Sequence, residues 1–352
     1  MTWNEALNLK FCFLNAENLF LMFDGVPSKL ELPNLSESKW QRLSTSTYEN
    51  KPLQKCLDLA KSLKEINADI VMLCEVGGFE SLKNFNDLFL DETYSPALTE
   101  GNSNRNIDVG FLVRKNMDFY FDLQSNKHRS INYLYPHERD SLKTNYPINL
   151  AMPSAMSHKF SRDVAELRLF KKNIEKPFLL ILLTHLKSRL DPEGIDPGGF
   201  ERRQAELKTL IEIYKEISEK HVSTPMIVAG DFNGNATFSN PDEEFKPLYE
   251  ATKLRDTLEL GSVATENRST FYQVKTTSKT EGRQIDFCFL NPSAAKLLRE
   301  KSAYVYRYKD EFGLDFGVPM TLDAKLRLPS DHYPLVFDLE KVPTSDKPKS
   351  GS

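Results

Sequence analysis

Short, almost wholly apolar runs recur along this chain, and each ends or begins at an acid, an amide or a histidine: KFCFLN at 10–15, DIVMLCE at 69–75, FLLILLTH at 178–185, MIVAGD at 226–231 and IDFCFLN at 285–291. Brief runs of this kind, rich in β-branched and aromatic side chains and bounded by polar residues, read as strands. On this pattern strands are expected at Leu9–Leu14, Asp69–Cys74, Val109–Val113, Val164–Phe170, Phe178–Thr184, Met226–Ala229, Thr270–Val274, Ile285–Leu290, Ala303–Tyr308 and Pro334–Leu339. That is too many for a helical protein. Helical spacing appears in Leu53, Cys56, Leu57, Ala60 and Leu63, and again in Leu207, Leu210, Ile211, Tyr214 and Ile217. Helices therefore alternate only irregularly with strands. Several neighbouring runs are joined by short polar links, as antiparallel strands allow and parallel strands do not. The expected fold class is α/β, a mixed-sheet sandwich and not a doubly wound sheet.

The 352 residues, 40% of them hydrophobic, suffice for a substantial core, and no repeat or Pro/Gly/Ser-rich linker divides them. One domain over residues 1–341 is expected, followed by a disordered tail at 342–352, VPTSDKPKSGS. The 46 Lys and Arg against 50 Asp and Glu leave a formal charge of −4, so contact with a polyanion would need a local basic patch. Cys12, Cys56, Cys74 and Cys288 stand singly inside apolar runs, which suggests buried free thiols. No apolar stretch is long enough to span a bilayer, and Met1–Lys10 does not read as a signal peptide. No membrane and no obligate protein partner is expected, and as written the chain reads as cytoplasmic. The segment from Gln124 to Lys159, with Lys127, Arg129, Arg139 and Lys143, is a candidate substrate-facing insertion.

Several polar residues stand where chemistry collects. GDFNG places Asp231 and Asn233 two apart at a strand's carboxyl end, where a carboxylate and an amide can serve one point. An Asx turn closing the strand would leave the same trace. In PSDHYPL, Asp331 precedes His332, and a carboxylate beside an imidazole fixes its tautomer or ligates a metal; a polar turn before Pro334 is the plainer reading. Glu75 ends DIVMLCEV, and an acid there needs a partner or a hard cation such as Mg²⁺, or else lies at the surface. Asn15 and Glu17 share one side of an extended chain, His185 closes FLLILLT, and Asp286 lies among apolar neighbours. Independent accidents rarely align so many polar residues at strand ends.

The order LNAENLF, DIVMLCE, FSRDVAELRL, THLKS, GDFN, QIDFCFLN, SDHYPL resembles the endonuclease/exonuclease/phosphatase superfamily, whose deoxyribonuclease-I-like fold is a four-layered α/β sandwich of two packed sheets flanked by helices. The likeness runs from about residue 9 to 340. It implies that Asn15 contacts substrate phosphate, with Glu17 an accessory acid and Glu75 the principal Mg²⁺ ligand. Asp231 resembles the residue that readies the attacking water, Asn233 its positioning partner, and His332 the histidine facing the phosphate, supported by Asp331, which also falls in the metal set. His185 resembles the second histidine of the deoxyribonuclease branch, with Asp108 the acid expected to pair with it. Asp286 resembles the acid that polarises a neighbouring histidine. Arg162, in an F-S-R context, resembles the arginine that touches phosphate, whose planar fork suits that group.

The Trp-Cys-Asp-Arg-type segment of the inositol-phosphatase branch does not occur at EGRQIDFCFLN. The N-x-E-N-L-F, THLKSR and ERRQAEL pattern resembles bacterial secreted or periplasmic nucleases, which sets a second compartment beside the cytoplasm. The expected activity is a Mg²⁺- or Mn²⁺-dependent nuclease acting on DNA, or on RNA as well, by in-line attack of water. A phosphomonoesterase or lipid head-group phosphodiesterase of the same superfamily is the alternative. A noncatalytic scaffold is a third reading, for which a metal acid or the terminal histidine would be expected to be lost, and none is.

Overall fold

The computed structural model describes residues 6–145, 157–171, 175–276 and 279–344. Its strands form two six-stranded sheets. One has the order β13 (Tyr304–Val305), β14 (Leu335–Pro343), β1 (Ala6–Leu19), β2 (Ile70–Val76), β4 (Asp108–Arg114), β3 (Tyr94–Leu98). The other has the order β5 (Tyr120–Ser125), β6 (Val164–Phe170), β7 (Leu179–His185), β8 (Met226–Asp231), β12 (Asp286–Leu290), β9 (Arg255–Asp256). A hairpin, β10 (Phe271–Thr276) and β11 (Lys279–Arg283), stands apart from both. Each sheet holds one parallel pair, β1 with β2 and β7 with β8, and is otherwise antiparallel. This is the mixed-sheet sandwich expected.

The apolar runs lack alternation because their strands are covered on both faces. In β7, β8 and β12, Ile181, Leu183, Ile227, Ala229 and Cys288 face the first sheet and join its core with Phe11, Phe13 and Leu73. The alternate residues Leu180, Leu182, Val228, Phe287 and Phe289 form a second core with Leu207, Leu210, Ile211 and Tyr214 of the helix Phe200–Lys220. The helices Leu53–Ile66 and Gly78–Phe89 pack on the first sheet through Leu59, Leu63, Leu82 and Phe85. The order of layers is therefore helix, sheet, sheet, helix. All four cysteines are buried free thiols. Among the described residues no helix is long and apolar enough to cross a membrane.

The structure departs from expectation at the margins. Strands β3, β5, β9 and β11 lie outside the expected set; β5 is an edge strand whose residues alternate between exposed and half-buried, so it carries no apolar run. The Ala303–Tyr308 run shortens to a two-residue strand. Strand β14 extends to Pro343 with Val342 buried, so the expected tail begins too early; Val342 pairs with Leu7 of β1. Residues 345–352 lie outside the described set.

The Gln124–Lys159 segment is, where described, not a free substrate-facing loop. Ile131 and Tyr133 are buried in the second core, and Arg129 and Arg139 pair with Glu216 and Glu201 of the helix Phe200–Lys220. Its apolar residues give it a place to dock and its cations find acids there. Lys143 lies outside the residues whose side chains are described.

Close packing at one strand pair fixes a residue type. Gly230 lies opposite Thr184, and a Cβ at 230 would meet the Thr184 carbonyl oxygen at 2.3 Å. Backbone cannot move aside cheaply. Gly230→Ala is expected to destabilise the protein by about 1–3 kcal/mol; an unchanged denaturation midpoint would refute this.

Candidate active site

Parallel strands end where their antiparallel neighbours begin, and this gathers the polar residues at one edge of the sandwich. Asn15 of β1 lies level with Cys74 of β2, and Val76 is level with Asp108 at the start of β4. In the other sheet His185 of β7 is level with Asp231 of β8, which is level with Asp286 at the start of β12. Ser330 links the last segment to this edge: its hydroxyl donates to the Asn15 carbonyl at 2.7 Å and accepts from the His332 amide at 3.2 Å.

Asp231 is the hub. Its Oδ2 accepts from Asn15 Nδ2 at 3.0 Å and lies 3.6 Å from His185 Nε2 and 4.0 Å from His332 Nε2. Its Oδ1 accepts from the Asn233 amide at 2.8 Å. Burial, then the charge of Asp286, raises its pKa to about 7, against the opposing pull of His332 and Asn15. A carboxyl poised there is matched to proton transfer near neutrality.

The two histidines are held in opposite charge states. His332 Nδ1 and Asp286 Oδ2 are 2.8 Å apart. Burial alone would favour neutral His332, but Asp286, then Asp331 and Asp231, outweigh it and hold its pKa well above the ordinary range. His185 is fully enclosed, and burial, then Arg162, His332 and Arg105, keeps it well below that range and so neutral. Its Nδ1 is buried with no hydrogen-bond partner.

Arg162 is 6% exposed, and burial lowers its pKa while Glu206, Glu75 and Asp231 oppose the fall. Nη1 donates to Ser161 Oγ at 3.2 Å, whereas Nε is buried and unpartnered. A guanidinium so placed has donors to spare for an anion.

Glu75 stands at a register shift of β2 with φ +60°, beside a matching shift in β1 where Glu17 and Asn18 have φ +48° and +53°. Non-glycine residues adopt this region at a cost, and such bulges re-aim side chains beside functional sites. Glu75 Oε2 accepts from the Asn18 amide at 3.1 Å.

Four expectations change. Glu17 is not grouped with Glu75 as a metal acid: it pairs with Lys55 at 2.8 Å and Lys51 at 3.5 Å, cations from a segment remote in sequence. Asp108 does not hydrogen-bond His185; its Oδ1 accepts from the Gly101 amide at 2.7 Å, and burial lifts its pKa to about 6. Asp331 does not hold the His332 tautomer, since Asp286 occupies Nδ1. It pairs with Lys325 at 3.2 Å and lies 3.8 Å from His332 Nε2; burial resists its ionisation, but His332 and Lys325 bring its pKa below the ordinary value. The Asn233 side chain donates to the Leu186 carbonyl at 3.1 Å, so its backbone amide and not its Nδ2 serves Asp231.

Sequence reading passed over Arg105, whose Nη2 donates to Asn18 Oδ1 at 2.8 Å and whose charge acts on both Arg162 and His185. It sits in a polar loop, NSNRN, with no apolar run to mark it. Asp231, Asp286 and His332 bring potential ligand atoms within 4.8 Å of one another, although the close Asp286–His332 contact is that of a proton-sharing pair.

Two mixed sheets between helices give the chain the same fold as several solved structures, an endonuclease/exonuclease/phosphatase family protein among them. The human Nocturnin catalytic domain, solved with a bound sulfate anion, superposes with a TM-score of 0.56 at 18% identity over 95% of this chain and 95% of that one. An endonuclease/exonuclease/phosphatase family protein of Bacteroides thetaiotaomicron gives 0.53 at 14% identity over 96% and 98%. The mannosyl-6-phosphatase of the same organism gives 0.52 at 15% identity over 94% and 98%. No protein-family model matches the chain, and no curated protein matches it in sequence. At these identities the likeness establishes the fold.

Proposed function

We propose that this protein is a divalent-metal-dependent phosphodiesterase that hydrolyses nucleic acid, DNA foremost, by in-line attack of water. The observation that carries the reading is the buried Arg162 guanidinium with an unpartnered Nε, within electrostatic reach of Asp231 and Glu75. A buried cation with open donors next to a raised-pKa acid suits a phosphoryl group and the water that attacks it. Asp231 takes the proton from water, the Arg162 fork holds phosphoryl oxygens, and the His332 imidazolium, braced by Asp286, faces the same group. Asn15 keeps Asp231 oriented through its amide.

Glu75 fits as the residue holding Mg²⁺ or Mn²⁺: it is a hard oxygen donor on a bulge at the site's edge, whereas Glu17 is already neutralised by two lysines. Bound there, the ion would neutralise charge developing on the phosphoryl oxygens.

A diester chain is favoured over a monoester by a cavity of about 540 Å³ beyond Asn233, lined by Arg189, Arg268 and Arg283 with Asn235, Thr237 and Asn240. Arg189 Nε donates to the Asn233 carbonyl at 2.9 Å, which joins this cavity to the site. Asp242 and Glu281 share the lining, and each arginine is paired, with Asp242, Glu259 and Glu281; the three cations still outnumber the lining acids by one, and with the neutral donors they can take a neighbouring phosphate as a further partner. Incubation of the protein with supercoiled plasmid and with linear DNA in Mg²⁺ or Mn²⁺ is expected to cut at least one of them, and EDTA to stop the cutting. Intact plasmid and intact linear DNA in both metals would sink the nuclease reading.

A second reading, a lipid head-group phosphodiesterase, rests on one observation. Phe312, Leu314, Phe316, Val318, Met320 and Leu322 alternate along the chain and are all exposed, Phe312 to 81%. Lys325, just beyond them, lies 3.6 Å from the Phe271 ring centre, and that ring is 5.1 Å from the His332 ring. An apolar strip this close to a site marks an interaction surface. Release of phosphorylated head groups from phospholipid vesicles, with no cutting of nucleic acid, would favour this reading over the first.

A further inference from the structure

On the side of the site away from the three arginines lies a second cavity, of about 550 Å³, lined by Phe20, Tyr48, Glu100, Asn106 and Asp108 among others. Hydrogen bonds tie its walls to the phosphate site on two sides. Glu75 accepts from the Asn18 amide, Asn18 Oδ1 accepts from Arg105, and the next residue, Asn106, donates from Nδ2 to Tyr48 Oη at 2.8 Å. On the other side the Asn102 amide donates to the Arg162 carbonyl at 3.2 Å, and Gly101 donates to Asp108. Gly77 closes the wall two residues after Glu75. A Cβ there would meet the Phe20 ring at 2.3 Å, so only glycine admits that ring, which stacks on Tyr48 with centroids 4.8 Å apart.

The two cavities differ in charge. The first sets Arg189, Arg268 and Arg283 against the carboxylates Asp242 and Glu281, whereas this one has two carboxylates, Glu100 and Asp108, and no Lys or Arg among its described lining residues to offset them. A second phosphate would be repelled here. Sugar hydroxyls would donate to the carboxylates, and a base or sugar ring has an aromatic platform in the partly exposed Tyr48. Resting on the phosphodiesterase reading, we infer that this cavity binds the uncharged nucleoside on one side of the scissile phosphate. It thereby favours a chain end with a free hydroxyl over one bearing a phosphate.

The test compares the dinucleotide TpT with pTpT and TpTp, and uses bis(p-nitrophenyl) phosphate as a diester without a sugar. One of the two phosphorylated dinucleotides is expected to be cleaved about tenfold less efficiently than TpT, which identifies the end that enters the cavity. Glu100→Gln should shrink that discrimination. Tyr48→Ala should lower the kcat/KM ratio of TpT to bis(p-nitrophenyl) phosphate about tenfold through KM, and Tyr48→Phe should restore it. Equal cleavage of the three dinucleotides, or ratios indifferent to both residues in folded protein that still hydrolyses bis(p-nitrophenyl) phosphate, would overturn the inference alone. No hydrolysis of any of the four would overturn the phosphodiesterase reading, and the inference with it.

Discussion

Asp231→Ala is expected to reduce phosphodiester hydrolysis by about a thousandfold, within the range attributable to a positioned general base. Three donors or cations converge on this carboxylate, from Asn15, Asn233 and His332, and its pKa of about 7 keeps it basic enough to accept a proton from water. The sign of its pH dependence follows. Below about 7 the carboxyl holds a proton and cannot act as base, so kcat/KM should fall about tenfold per pH unit on the acid side. Asp231→Asn separates chemistry from folding. Burial disfavours the carboxylate, so the folded pKa lies above the unfolded one and the ionised acid costs stability as pH rises from the unfolded value toward 7. The asparagine variant should therefore be inactive yet at least as thermostable as the parent at pH 8. Near-normal turnover in either variant, or a rate flat from pH 5 to 8, would remove Asp231 from the role given to it.

Arg162→Met should lower kcat/KM by about a hundredfold or more, as expected for removing a preorganised donor that stabilises developing charge. Its effect on stability should be small or favourable. The guanidinium is buried with Nε unpartnered, and removing an unsatisfied polar group from the interior relieves a desolvation penalty. Lysine at this position should rescue little, because it supplies a point charge where two or more donors in one plane are needed. Thermal denaturation and steady-state kinetics on the same preparations decide the matter. A variant that loses stability in proportion to activity would make Arg162 structural.

The polar residues that close apolar runs were legible because the pattern itself marks them. Asn15, His185, Asp231 and Asp286 each sit where a both-faces-buried strand meets the edge, and a polar group there is costly unless it has a partner or a use. What those partners are was less legible. The resemblance implies Glu17 as an accessory acid beside Glu75, yet Lys51 and Lys55 approach it from a segment more than thirty residues on. Asp108 stands at the right strand end, but its Oδ1 is taken by a loop amide that sequence spacing cannot locate. Asp331 precedes His332 in the chain, whereas the imidazole nitrogen is taken by Asp286 from another strand.

The sequence by itself determined the apolar core strands, the mixed sandwich and the polar residues that close those strands at the edge, because periodicity and burial are local properties that each run displays. Tertiary structure alone decided the charge state of each group and the shape of the ground around it. Asp231 is raised by burial and by Asp286, His185 is kept neutral by burial and by Arg162, and His332 is held protonated by Asp286 and its fellow acids, only because two sheets close over these groups and bring them together. The arginine-lined and acid-lined cavities on either side are assembled from loops distant in sequence. Electrostatic energies depend on distance and desolvation across the fold, and neither is written in the order of residues.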